Sequence, residues 1–179
     1  MKFAISSSIA IFVLQFLAST QLTEAAPPHS GPVTGRTIAL RSPNEYCLFL
    51  PPMFGGGISE SESSAVAFCN RPLTSAPDAR TLPRGFIKSL HFVQNDRKKY
   101  VQITGRIDRS KYGLSRHDSG GLYDEHAPEG ARCAGYKHFV EMVEPDTQVY
   151  CLRCCQNEAD CPAEGSMGGC RSMVRGDYS

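Results

Sequence analysis

The residues with the most chemistry are eight cysteines, Cys47, Cys69, Cys133, Cys151, Cys154, Cys155, Cys161 and Cys170. An even number in an oxidising compartment predicts four disulfides. Neighbouring Cys154 and Cys155 would strain a bridge between themselves, so they are expected to pin their segment to two different places. Cys151 and Cys154 also have a two-residue gap that suits zinc. Secreted thiols oxidise, however, and no His pair follows at ligand spacing, so neither a metal nor a cofactor is expected. A second group is the loop Asp118-Ser119-Gly120-Gly121-Leu122-Tyr123-Asp124-Glu125-His126, where carboxylates, a His and glycines crowd together. Two carboxylates can act as acid and base on a glycosidic bond or can hold calcium. The spacing misses the helix-flanked calcium loop, and Gly120-Gly121 reads more simply as a turn. With no Gly-x-Ser-x-Gly motif and with His29, His91, His117, His126 and His138 scattered, no catalytic residue is assigned. The third group is basic, Arg97, Lys98 and Lys99 at a turn with Arg106 beyond it, and these are the candidate binding residues. Arg175-Gly176-Asp177 near the C-terminus matches an integrin-ligand tripeptide, but a three-residue match is a weak signal and a simple terminal turn at Gly176-Asp177 is the default reading.

Charge shows where the basic group belongs. Over the 179 residues, 19 Lys and Arg meet 18 Asp and Glu, a net charge of +1 that excludes a globally basic nucleic-acid binder. Arg80 to His117, however, holds ten basic residues against Asp96 and Asp108, a balance of +8. Asp118 to Asp146 holds seven acids against Arg132 and Lys137, a balance of −5. The pattern predicts a basic and an acidic side. Outside a cell, a basic side meets anionic glycans, phospholipids or acidic proteins, or serves only as a solvated face.

Compartment follows from the first residues. Met1 and Lys2 precede an apolar run from Phe3 to Ala18, and Thr23 and Ala25 suit positions −3 and −1 of a cleavage site, so residues 1–25 read as a secretory signal peptide. The run is shorter than the ~20 residues of a spanning helix, and no second apolar stretch exists, so no membrane span is expected. A hydrophobic fraction of 41% is too high for a disordered chain and, at this length, suits one domain.

The elements that must position these groups read mostly as strands. Residues 26–37 are a Pro- and Gly-rich flexible lead-in, and residues 38–179 form the domain. Ile38 to Leu40 and Tyr46 to Leu50 flank a Ser42-Pro43-Asn44 turn as a hairpin. Gly55 to Ser64 reads as a mobile polar loop, bracketed by Cys47 and Cys69, which are the first expected pair. Ala65 to Cys69 is a short strand or one helical turn. Leu90 to Gln94 and Tyr100 to Ile107 form the clearest hairpin, with Val101, Ile103 and Ile107 on one face and Gln102, Thr104 and Arg106 on the other, a half-buried alternation. His138 to Val143 and Gln148 to Arg153 form another hairpin around Glu144-Pro145-Asp146-Thr147. Residues 108–132 show little periodicity and are expected to be a long surface loop. No helix of three turns is predicted. The fold class is therefore all-β, a single-domain antiparallel sandwich or barrel stabilised by disulfides, with a cysteine-rich C-terminal segment.

The strings Tyr46-Cys47-Leu48-Phe49-Leu50-Pro51-Pro52, Ala65-Val66-Ala67-Phe68-Cys69, Tyr100-Val101-Gln102-Ile103-Thr104-Gly105, Tyr150-Cys151-Leu152-Arg153-Cys154-Cys155 and Gly176-Asp177-Tyr178-Ser179 resemble a group of small secreted cysteine-rich fungal proteins. Some of that group are labelled macrophage-activating glycoprotein. The resemblance covers nearly the whole mature chain and implies an extracellular or cell-wall-associated fungal protein, but it supplies no catalytic residue or substrate. Where that group would place Pro before Gly-Asp-Tyr-Ser, this chain has Arg175. The expected function is non-enzymatic binding of a cell-wall glycan or a host surface component, as an effector. The contrasting expectation is a small cell-wall glycoside hydrolase using Asp118, Asp124 or Glu125. Sugar faces usually lie on aromatic rings; the chain has no Trp, leaving Tyr46, Tyr100, Tyr112, Tyr123, Tyr136 and Tyr150 for that task, although most of them suit the core margin.

Overall fold

A computed structural model describes residues 35–179. The expected signal peptide and most of the lead-in lie outside these residues. Eleven strands occur among them: β1 (Thr37–Ile38), β2 (Leu40–Ser42), β3 (Glu45–Leu50), β4 (Val66–Cys69), β5 (Arg80–Thr81), β6 (Ile87–Asn95), β7 (Tyr100–Ile107), β8 (Gly121–Asp124), β9 (Arg132–Cys133), β10 (His138–Glu144) and β11 (Val149–Cys155). They build a five-stranded sheet in the order β6-β7-β11-β10-β8, a four-stranded sheet β2-β3-β4-β5, and a two-stranded pair β1-β9. All pairings are antiparallel except the two-residue contacts β1–β9 and β4–β5. The single α-helix among the described residues, α1 (Gly169–Met173), is barely more than a turn.

Alternation along β10 and β11 explains how the five-stranded sheet covers two apolar layers. One face carries Phe139 and Val143 of β10 with Ile103 and Leu152 into the main core, where Phe49 meets Phe139 and Tyr123 at ring distances of 5.6 and 6.1 Å. The other face carries Val140, Met142, Val149 and Cys151, which would be exposed were they not covered by Cys161, Cys170, Met173, Val174 and Tyr178. Each large apolar side chain so covered contributes about 1.5–3 kcal/mol. The C-terminal segment is thus a third layer over the sheet. Gln102 Nε2 donates to the Arg175 carbonyl at 2.9 Å and Thr104 Oγ1 to the Asp177 carbonyl at 2.6 Å. The Tyr178 hydroxyl donates back to Cys170 and Val174.

Four disulfides hold these layers: Cys47–Cys69 across β3 and β4, Cys133–Cys154, Cys151–Cys170 and Cys155–Cys161. The first is the expected pair, and Cys154 and Cys155 do reach to two different places. With every cysteine oxidised, no thiolate is left for zinc.

Four expectations need correction. Gln102 and Thr104 lie on the face of β7 that reads as solvent-facing, yet both are buried, because the cysteine-clamped tail covers them. The stretch 108–132 is not one loop. A 3-10 turn over Arg109–Tyr112 is followed by β8, an edge strand on β10, so Gly121 opens a strand and only Gly120, with φ of +94°, acts as a turn residue. Gly55 to Ser64 is not free either, since Ile58 is wholly buried and Ser59–Ser61 form a 3-10 turn. Tyr123 and Tyr150 lie deeper than the core margin, with their hydroxyls donating to Ile58 and Ser89 carbonyls.

Candidate functional site

The β6–β7 hairpin turn places Arg97, Lys98 and Lys99 at one end of the sandwich. Lys98 Nζ is paired with Asp160 at 2.9 Å, a half-exposed contact of little energetic weight. Lys99 adopts φ of +56°, and its carbonyl accepts from Gln156 N at 3.1 Å. Arg106 sits seven residues along β7, about 23 Å away at strand rise. It lines a different concavity with Lys88, Ser89, Asp108, Gln148 and Ser179. The four candidate binding residues therefore do not form one patch.

Beside the turn lies a cleft of about 390 Å³ whose walls include Arg41, Gln94, Asn95, Lys99, Tyr136 and Gln156. Each wall arrives from a different element. Arg41 extends from β2, Gln94 and Asn95 from the end of β6, and Gln156 follows β11. Tyr136 stands on the turn after β9, which the Cys133–Cys154 bridge fastens to β11. Gln156 Nε2 donates to the Gly135 carbonyl at 2.7 Å and Asn95 Oδ1 accepts from Lys98 N at 3.0 Å, so both amide groups are fixed. Burial raises the Tyr136 phenol above its usual pKa range while the Arg41 charge pulls it back. The nearby Tyr100 ring is engaged on one face by the Arg153 guanidinium, 4.6 Å from its centroid. The cleft offers two tyrosine rings, Tyr136 and Tyr100, three side-chain amides, of which Gln94 Nε2 donates to Asp96 at 2.7 Å, and two cations offset in part by the Asp96 carboxylate: a set that recognises polyhydroxylated ligands.

The loop carboxylates have other work. Asp118 accepts from Ile58 N at 2.8 Å and Gly120 N at 2.9 Å, tying two loops together. Asp124 accepts from His126 N and Ala127 N. Glu125 meets His138 Nδ1 at 2.8 Å and accepts from Phe139 N. Burial acts to raise the Glu125 pKa, but the bond to His138 and the backbone donors outweigh it and leave the group below the ordinary range. Asp124 and Glu125 do share one concavity with Glu158 and Glu164, but Asp118 is not among its walls. Arg175-Gly176-Asp177 is no protruding loop. Its backbone lies along β7, a Cβ on Gly176 would fall 2.6 Å from Thr104 Oγ1, and the Asp177 carboxylate accepts from Ser179 N.

One carboxyl that sequence reading passed over is wholly buried. Glu141, on the inward face of β10, accepts from Phe49 N through both oxygens at 2.8 and 3.0 Å. β2 has ended before that point of β3, so Glu141 satisfies a strand-edge donor that would otherwise be orphaned in the core. Desolvation holds its pKa well above the carboxylate range, opposed only in part by the Phe49 bond. The signal was available: an acid between Phe139 and Val143 at the inward positions of a period-two strand.

Fold and cleft together define a disulfide-bonded β-sandwich with a polar, partly aromatic cleft at a hairpin tip. Among known proteins the chain is similar to two from the fungus Mycosarcoma maydis. It is 28% identical over 162 residues to Appressorium protein ROW1, covering 80% of this chain and 37% of that protein. It is 31% identical over 98 residues to Appressorium protein ROW2, covering 54% of this chain and 32% of that one. The chain therefore spans about a third of each relative's length. No family model and no solved structure matches.

Proposed function

We propose that the protein is a secreted, non-enzymatic fungal binding protein that works at the contact between fungus and host, and that the hairpin-tip cleft binds an extracellular glycan. It would stand with the small secreted cysteine-rich proteins, some labelled macrophage-activating glycoprotein, that its sequence resembles. The observation that carries the reading is the cleft itself, in which Tyr136, Arg41, Lys99 and the amides of Gln94, Asn95 and Gln156 converge from five places in the chain. The similarity to appressorium proteins supports the setting, and four disulfides suit an oxidising compartment. Retention of the oxidised protein on fungal walls, chitin, β-glucan and pectic glycans tests it. Tyr136→Ala and Lys99→Glu should each weaken retention about tenfold, the scale of one lost stacking or charged contact. Absence of retention on every matrix, or retention indifferent to both substitutions, would refute it. Release of reducing ends abolished by Glu125→Gln would instead favour the hydrolase.

A further inference from the structure

At the opposite end of the β6–β7 hairpin, the turn following β3 holds two large apolar side chains in solvent. Met53 is 72% exposed and Phe54 70%. They are presented by a loop whose backbone is anchored on both sides of them. The Pro51 carbonyl accepts from the Tyr112 hydroxyl at 2.8 Å and the Pro52 carbonyl from Arg80 Nη1 at 2.5 Å. The Met53 carbonyl accepts from Gly56 N, and Gly55 N donates to the Tyr112 carbonyl at 3.0 Å. The Phe54 ring stands edge-on to Tyr112 at 5.7 Å, over Gly113, where a Cβ would fall 2.4 Å from the ring. An exposed Met-Phe pair on an anchored loop gives up hydrophobic free energy in the isolated protein, and the Phe54 ring, already packed on Tyr112, carries a reduced ordering cost on binding.

Cations stand on the segments that pack beside this loop. Arg80 bonds the loop itself. Lys111 precedes Tyr112, and its side chain lies against Gly85, next to exposed Arg84. Lys88 and Lys111 both lie close enough to Asp108 for their charges to act on its carboxylate. None of the five ion pairs among the described residues involves Arg80, Arg84, Lys88 or Lys111. With Asp108, and with Glu60, whose carboxylate lies against Gly57 of the same loop, counted against these four, the platform keeps a net charge of +2. It gathers four of the ten basic residues in the stretch read from the sequence.

We propose that this platform is a membrane-docking surface, in which Met53 and Phe54 enter the headgroup region of a bilayer while Arg80, Arg84, Lys88 and Lys111 meet anionic lipid headgroups. An acidic glycan would account for the cations but would leave the exposed apolar pair without a use. An anionic bilayer accounts for both, since apolar burial and electrostatic attraction to anionic lipid add in interfacial binding. The surface is separate from the hairpin-tip cleft and does not depend on glycan binding there.

The test is cosedimentation of the secreted, oxidised protein with vesicles of phosphatidylcholine alone or with about 30% phosphatidylserine, an anionic fraction that gives a strong surface potential. Binding to the anionic vesicles should fall about tenfold in Phe54→Ser, as expected for loss of one inserted ring. It should fall about as much in the double variant Lys88→Glu with Lys111→Glu, and it should weaken with added salt. Because the chain has no Trp, Phe54→Trp gives a fluorophore at one site. Its emission should shift to the blue with anionic vesicles and stay unchanged with phosphatidylcholine alone. No cosedimentation together with no spectral shift overturns the proposal. So does anionic-vesicle binding that Phe54→Ser leaves unchanged. Retention on polygalacturonate that survives Phe54→Ser, without vesicle binding, assigns the platform to an acidic glycan and equally overturns it.

Discussion

Removing the bridge that fastens the third layer should separate that layer from the sandwich. Cys151 and Cys170 are 19 residues apart. On the chain-entropy model, opening a loop of that size frees the unfolded chain by about 3 kcal/mol. In the double variant Cys151→Ala with Cys170→Ala, that loss should lower the thermal midpoint by about 6–12 °C for a domain of this size. The native state responds too, because α1 and the tail are then held to the sheet by the Gln102 and Thr104 hydrogen bonds, the exposed contacts of His91 with Asp177 and Ser179, the Cys170 N–Glu144 bond and the apolar cover from Met173, Val174 and Tyr178. Guanidinium unfolding measures the first effect and native-state hydrogen exchange the second. Backbone amides of residues 170–179 should lose protection well before those of β7 and β11, and Tyr178 should become accessible to iodination. The reasoning fails if the variant loses less than about 1 kcal/mol. It fails equally if the tail and the five-stranded sheet exchange together, since the tail would then be part of one cooperative unit and not a clamped layer.

Glu141 sets a second expectation, with its sign fixed by the raised pKa. Unfolded, this carboxyl titrates near 4.3; folded, it keeps its proton to higher pH. Its contribution to stability is fully present below the unfolded value and is lost as pH rises toward the folded one, by about 1.4 kcal/mol per pH unit within that window. Glu141→Gln cannot ionise, so its stability relative to wild type should improve from pH 4 to pH 8 in denaturant titrations. An equal difference at both ends would show that Glu141 is not protonated in the fold. The β6–β7 register shifts between Ile87 and Ser89, and Gly105 tests that bulge. A Cβ there would lie 2.1 Å from the Ser89 carbonyl oxygen and 3.1 Å from the Tyr150 ring, so Gly105→Ala should cost about 1–3 kcal/mol, whereas a midpoint unchanged in urea would mean that the bulge relaxes freely.

Period-two patterning was enough to find both long hairpins, because β6, β7, β10 and β11 carry seven to nine residues each, with buried apolar side chains on β7, β10 and β11 and partly buried ones on β6. It failed at β8, whose four residues begin with glycine and are strand only because β10 offers an edge. It misassigned the outer face of β7 for a related reason. Gln102 and Thr104 are polar in order to bond a tail that returns from more than 70 residues away, and nothing near them in sequence announces it. The cleft was legible only at Lys99 and, as two tyrosines among six, at Tyr100 and Tyr136. Arg41, Gln94, Asn95 and Gln156 are ordinary surface residues in their own segments, and they become a site through the Cys133–Cys154 bridge and the Gln156 contacts with Lys99 and Gly135.

The geometry of one hairpin separates the two proposed surfaces. The cleft takes Gln94, Asn95 and Lys99 from the tip of β6–β7, whereas Lys88 and Asp108 flank its base, six or more strand residues away and so about 20 Å distant. Substitutions that far apart, with no shared partner, act independently to within about 0.5 kcal/mol. Tyr136→Ala should therefore leave vesicle binding unchanged, and Phe54→Ser should leave glycan retention unchanged. A double variant should show the product of the two single effects, each in its own assay, when retention and cosedimentation are measured on the same preparations. If instead Phe54→Ser weakened glycan retention as strongly as Tyr136→Ala, the stiff β6–β7 hairpin could not be insulating its two ends. The basic residues would then have to be treated as one diffuse field, as the undivided +8 stretch of the sequence first implied.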